Sequence, residues 1–290
     1  MKAVIIYIIF FSILHVSCFA QHNQYTSTKF AVKNPYEVFI GGIMKANDVN
    51  DVHQILNVPM NPITISYSLP LKSETITPSY DNMLRTIQQK LQENNVLKPN
   101  YQFSFTLKQI DSYEQLALFF GEEINLSDLF KITSVNAIHK TVAVLDISQS
   151  YFSIAMDMPE EELSNSPIVQ EQLSELIYVG SIEFGRRSIL IVESDLNYQD
   201  VKVALNEILN KSTTKKGDIS EKSKSIMASS IIRGLILDPL ANENITPDNP
   251  LEYLLDYINS DISPNDFGVP IFFTAAWLKD NSVFVNKFTN

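Results

Sequence analysis

The chain has 290 residues, 45% of them hydrophobic and 19% charged, with a net charge of −11. Eight glycines and 13 prolines exclude a low-complexity chain, and the length allows one large domain or two ordinary ones. The acidic balance argues against nucleic acid as a partner and against purely electrostatic attraction to anionic lipid.

Lys2 is followed by an apolar run from Ala3 to Leu14, and then by Cys18-Phe19-Ala20. Residues 1–20 therefore read as a secretory signal peptide cleaved after Ala20. An uncleaved anchor is the alternative, although the run falls short of the ~20 apolar residues that a span needs. A lipid-bearing Cys18 is a further alternative, on the poor lead-in His15-Val16-Ser17. Cleavage removes Lys2 and the only cysteine, taking the net charge to −12 and leaving no disulfide, catalytic thiol or thiolate metal site.

Residues 21–30 are polar and read as a loose arm, the start of an N-terminal stretch 21–61 that leads into a body over 62–290. Pro62 to Leu71 alternates Ile63, Ile65 and Tyr67 against Thr64, Ser66 and Ser68, the period of a strand. Over 79–93 the period changes. Tyr80, Met83, Leu84, Ile87 and Leu91 line one face of an amphipathic helix. Tyr101 to Leu107 alternates again. Thr141 to Met158 is a long strand, bent near Ser148 to Ser150 and covered on both faces for part of its length. Asp200 to Leu209 is a short helix with Val201, Ala204, Leu205 and Ile208 on one side. Residues 211–225, with five lysines, read as a polar loop, and Ile226 to Asp238 as a further strand.

Two stretches fit both periods. In 113–138, Leu116, Leu118 and Phe120 share one strand face, as do Ile124, Leu126, Phe130 and Ile132, while Leu116, Phe119 and Phe120 also group on a helix. In 239–267, Leu251, Tyr253, Leu255 and Tyr257 oppose Glu252 and Asp256 on a strand, while Leu251, Leu254, Leu255 and Ile258 line a helix. Such ambiguity is common in short apolar runs.

Three motifs give these elements a shared context. Phe267 to Val283 reads FGVPIFFTAAWLKDNSV. It resembles the Tyr-Pro-Ile-Ser-Tyr-Thr-x-x-Phe-Leu-Lys-Asp-Asn segment of the cholesterol-dependent (thiol-activated) cytolysins, bacterial proteins that assemble into β-barrel pores; Leu278, Lys279, Asp280 and Asn281 carry the match. Ile177 to Glu193 holds Phe184, Gly185 and Arg186 where that family has Tyr-Gly-Arg. Arg233 and Gly234 stand where it has two adjacent glycines. The resemblance runs from about Pro62 to Asn286.

The resemblance implies an α+β fold: a strongly bent central antiparallel sheet flanked by two helical clusters that could refold into transmembrane β-hairpins. Segments 113–138 and 239–267 would be those hairpins, with the alternating residues above facing lipid. Phe184, Gly185, Arg186, Gly234 and Leu278 to Asn281 would serve strand pairing and packing. The family's C-terminal cholesterol-recognising domain has no counterpart by residue 290, so cholesterol binding is not carried over. The implied activity is that of a secreted pore-forming protein acting on a target lipid bilayer, as a homo-oligomer or with a longer cytolysin-like companion. A secreted binding protein on the same fold that never inserts is the alternative.

The residues offer no enzyme. His15, His22, His53 and His139 lack metal-ligand spacing, and no nucleophile elbow, Walker loop or Rossmann fingerprint is present. No catalytic residue, cofactor or metal is expected.

Overall fold

The computed structural model describes residues 24–50, 53–94, 102–159, 161–214, 218–245 and 250–289. The expected signal peptide lies outside them. In chain order the strands are β1 (Gln24–Ser27), β2 (Phe30–Ala31), β3 (Ile43–Lys45), β4 (Ile63–Tyr67), β5 (Glu74–Ile76), β6 (Gln102–Ile110), β7 (Thr141–Met156), β8 (Leu176–Ser194), β9 (Ile231–Ile236), β10 (Val269–Trp277) and β11 (Asn286–Thr289). The α-helices are α1 (Tyr80–Glu93), α2 (Ala117–Phe120), α3 (Leu126–Phe130), α4 (Pro167–Glu171), α5 (Tyr198–Thr214), α6 (Glu221–Ala228), α7 (Pro239–Asn242) and α8 (Pro250–Asn259).

The long strands β7 and β8 form the spine of an antiparallel sheet. Its upper half adds β4 and β5 beside β7, and β10, β2 and β3 beside β8. Its lower half is four strands in the order β6, β7, β8, β9. β9 and β10 thus lie one below the other along the same edge of β8. A row of irregularities separates the halves. The register slips between Ser150 and Phe152 on β7, and between Pro270 and Phe272 on β10, both opposite the Glu183–Gly185 stretch of β8. Gly185 is required there, since a Cβ would lie 2.1 Å from the Gln149 carbonyl oxygen. Extra residues of this kind bend a strand and raise its twist, which accounts for the bend expected near Ser148 to Ser150.

The upper half packs one apolar core, including Ile63, Ile65, Met83, Ile87, Phe152 and Phe184. Helix α1 forms as its period predicts. Ser79 Oγ accepts from the Asn82 amide at 3.2 Å, capping the first turn, and Met83, Ile87 and Leu91 are buried. The lower half is covered on both faces. Residues alternate along each strand, so Leu145, Ile147, Leu190 and Val192 face α5, α6 and α8. Val142, Val144, Ile189 and Ile191 face the 113–132 stretch.

Four expectations are corrected. The arm 21–30 is not loose where described: β1 pairs with β11, and Phe30 and Ala31 are fully buried in β2. The polar loop 211–225 is largely helical, because α5 runs on to Thr214 and α6 starts at Glu221. The first residues of the expected strand 226–238 close α6, and the strand begins only at Ile231. Lys279, Asp280 and Asn281 do not pair as a strand. They form a turn after β10 in which Asn281 adopts φ 58° and donates its amide to the Trp277 carbonyl at 2.9 Å, while the Leu278 amide reaches the Leu176 carbonyl at 3.0 Å.

Candidate membrane-insertion segments and their anchors

The first ambiguous segment leaves the bottom of β6 at Tyr113 and returns to β7. It is folded as a short 3-10 turn (Tyr113–Leu116), α2 and α3. Asn125 Oδ1 caps α3 by accepting from the Ser127 and Asp128 amides, and Gly121 ends α2 at φ 73°. Leu116, Phe120, Phe130 and Ile132 are buried under the sheet, with Ile124 and Leu126 packed beside them. Leu118 is half-buried and stands outside that cluster. On the opposite face, Leu255 of α8 is buried, and Leu251, Tyr253 and Tyr257 pack half-buried around it. Every residue proposed to face lipid thus lies at least half out of water, on one helical face or the other.

The topology separates the two segments. Connection 111–140 joins β6 to β7, which are neighbours. Segment 239–267 leads from β9 to β10, which are not paired with each other. The connection that does join neighbouring strands at the same end is 195–230, between β8 and β9. Segment 239–267 instead lies against β9. The Asn242 side chain accepts from the Ile236 amide at 2.9 Å, and Leu254 packs so closely that a Cβ on Gly234 would meet its Cδ1 at 2.5 Å. Gly234 therefore leaves room for α8 while pairing with Leu190 of β8.

Adjacent arginines on β8 point to opposite faces and fasten a different segment on each. Arg186 is buried and donates to the Asp266 carboxylate at 2.7 Å and to the Asp261 carbonyl at 3.1 Å, as well as to the Ser260 carbonyl. The Tyr151 and Tyr257 rings lie 5.8 and 5.6 Å from its guanidinium. Arg187 is wholly buried. It grips Asp146 through two bonds of 2.9 and 2.8 Å, donates to the Phe119 carbonyl, and stacks 4.5 Å from the Phe272 ring. Such planar, charge-assisted pairing is what an arginine does best.

Two carboxylates complete the anchoring of 113–132. Glu122 is fully buried, with Lys33 Nζ at 3.6 Å and His53 Nε2 at 3.7 Å. Neither distance to Glu122 is a hydrogen bond, and His53 Nε2 instead donates to the Ala31 carbonyl at 3.1 Å. Burial pushes the Glu122 carboxyl well up and, with Lys33 nearby, pushes the His53 imidazole down to about 3. Burial thus disfavours the charged form of each. Glu193 is the opposite case. Burial pushes it up, but Tyr113, two backbone amides and Arg233 outweigh that and hold it below the usual carboxylate range. Sequence reading missed Arg187 and Glu122. The doubled Arg186-Arg187 inside an apolar strand was the signal for the first, because one of the two must face each side.

Among the described residues no group of three His, Cys, Asp or Glu could hold a metal ion, and no helix is long and apolar enough to cross a membrane. Neither fact bears on a β-barrel. His139 sits just before β7, half-buried, with Nδ1 2.9 Å from the Asp195 carboxylate.

A family model described as thiol-activated cytolysin matches residues 23–290. Tetanolysin of Clostridium tetani is 24% identical over 275 residues, covering 84% of this chain and 51% of that protein. Perfringolysin O of Clostridium perfringens is 22% identical over 255 residues, covering 79% and 50%. The chain therefore spans about half the length of the curated relatives it matches. Among solved structures, the human-specific toxin intermedilysin superposes with a TM-score of 0.65 at 19% identity, over 92% of this chain and 62% of that one. A non-hemolytic pneumolysin of Streptococcus pneumoniae gives 0.69 at 16%, over 93% and 65%. At these identities the structures establish the fold.

Proposed function

The chain belongs to the thiol-activated cytolysin family, and from that premise we propose that it is an exported pore-forming protein that inserts β-hairpins into a target bilayer. One observation carries the reading: connections 111–140 and 195–230 leave the same end of the four-stranded lower sheet, each between neighbouring antiparallel strands. Unfolding both would lengthen all four strands in register. Each connection is long enough for two legs of the ~9–11 residues that a spanning strand needs. In this proposal the second hairpin is 195–230, and 239–267 is a cover over β9 rather than an inserting segment.

Oligomerisation follows from the edges. Among the described residues β6 pairs only with β7, and β9 only with β8. Phe103 and Phe105 stand 38% and 46% exposed on β6. Pairing β6 of one copy with β9 of the next, once α7 and α8 move aside, repeats head to tail and closes a ring without edges in lipid. The neighbour is a second copy of this chain or a longer relative of the same fold.

The second reading, a non-inserting binding protein on this fold, is favoured by one stretch. Asp218 to Ser225 reads DISEKSKS, with almost no apolar alternation for a lipid-facing leg.

Dye release from liposomes by the mature chain, alone and mixed with a longer relative, tests the proposal. A disulfide between cysteines at 116 and at the facing position of β8 is expected to block release, and a reductant to restore it. A stable monomer that releases nothing under any of these conditions supports the second reading.

A further inference from the structure

The four strands of the lower sheet converge on one carboxylate. Glu193, near the end of β8, is 1% exposed. Its Oε2 accepts from the Tyr113 hydroxyl at 2.6 Å and from Arg233 Nη1 at 3.3 Å. Its Oε1 accepts from the His139 amide at 2.8 Å and from the Ile138 amide. Arg233 also reaches the Tyr113 hydroxyl at 3.3 Å. Tyr113 begins the first connection, and Ile138 and His139 end it. The second connection begins just after Glu193 itself and returns to β9, which carries Arg233. One side chain therefore closes the base of both.

We propose that Glu193 couples the two connections, so that loosening one loosens the other. An ionised carboxylate out of water is stable only while its donors are present. Opening the first connection strips away Tyr113 and both amides, leaving Arg233 alone against a buried charge. The charge then draws in water at the base of β9, where the second connection returns. The argument runs equally in reverse, as any coupling between two sites must. This is a property of the soluble chain and stands whether or not either connection enters a membrane.

The test is hydrogen–deuterium exchange on the soluble chain, arranged as a double-mutant cycle. Phe130→Ala loosens the first connection while leaving every hydrogen-bond donor to Glu193 in place. In the otherwise native chain it is expected to raise exchange about tenfold or more both in 113–138 and in 198–228. In a Glu193→Gln background the same change is expected to raise 113–138 while leaving 198–228 within about twofold. Should Glu193→Gln fail to fold, Arg233→Met replaces it, removing only the donor on the β9 side. Asp195→Asn, which breaks the neighbouring pair with His139, is expected to leave the coupling intact. The proposal is overturned if Phe130→Ala leaves 198–228 unchanged, if the coupling survives Glu193→Gln or Arg233→Met, if Asp195→Asn abolishes it, or if exchange rises equally in β4 and β10.

Discussion

The first and second connections leave the same end of the same sheet, yet they are fastened by different physics. Connection 111–140 has charges out of water among its fastenings: Arg187, paired with Asp146, donates to the Phe119 carbonyl, and Glu193 accepts from the Tyr113 hydroxyl and the His139 amide. Connection 195–230 is held by the apolar faces of α5 and α6, with Val201, Leu205, Ile208 and Ile226 buried, and by hydrogen bonds at the surface. There Glu207 accepts from the Ser220 amide and hydroxyl and from the Ser223 hydroxyl, tying α5 to the capping residue of α6. Buried charges resist partial opening, because a half-opened pair leaves one charge stranded. Surface bonds yield gradually, since water replaces each one lost. The first connection should therefore open as a unit, and the second should fray.

The strongest way to break this contrast is Arg187→Met. It strands Asp146, only 17% exposed, and should cost ~3–5 kcal/mol in urea unfolding. Arg186→Met leaves Asp266, which is 63% exposed, and should cost ~1–2 kcal/mol. Equal losses would remove the distinction between the faces. Next comes Gly234→Ala, whose methyl group must displace Leu254 and lift α8; ~1–3 kcal/mol is expected, with faster amide exchange confined to 250–259.

A smaller effect tests the buried Glu122 site through pH. Glu122 has its pKa raised in the folded state, so the stability it contributes is complete below its unfolded value and is lost as pH rises towards the raised one. Glu122→Gln should melt higher than the native chain at pH 8, and the gap should close near pH 5. His53 runs the other way. Its pKa falls from 6.5 to about 3, so both proteins should lose stability as pH drops through that window. A gap that does not vary with pH would show that Glu122 is not buried in its neutral form. The least effect belongs to Glu207→Gln, expected to speed exchange in 218–228 without shifting global melting.

Much of the frame was legible in the sequence. Tyr80, Met83, Leu84, Ile87 and Leu91 announced α1 nearly to the residue, because helical period is local. β4 and β7 were equally plain, and the family resemblance ordered the rest. What stayed hidden was set by distant partners. Helix α6 looked like a lysine-rich loop because Ser220 and Ser223 are organised by Glu207, which belongs to α5. The family resemblance and the alternation of Leu251, Tyr253, Leu255 and Tyr257 point to 239–267 as the second hairpin, whereas the proposed function takes 195–230. Which connection joins neighbouring strands depends on β9 and β10 sharing one edge of β8, and no local pattern encodes that. Glu122 sat unnoticed among exposed acidic residues, since its burial is made by Lys33 and His53 far up the chain.

The row of register slips between Ser150 and Phe152 and between Pro270 and Phe272, opposite the glycine at 185, has a mechanical consequence. It is a crease, and everything below it acts as a lever. From Gly185 to the end of β8 at Ser194 the strand runs ~30 Å at ~3.3 Å per residue. A change of ~10° at the crease therefore sweeps the far end through ~5 Å. That is about one inter-strand spacing, so in the proposed assembly it would bring a neighbouring copy's edge into or out of hydrogen-bonding reach.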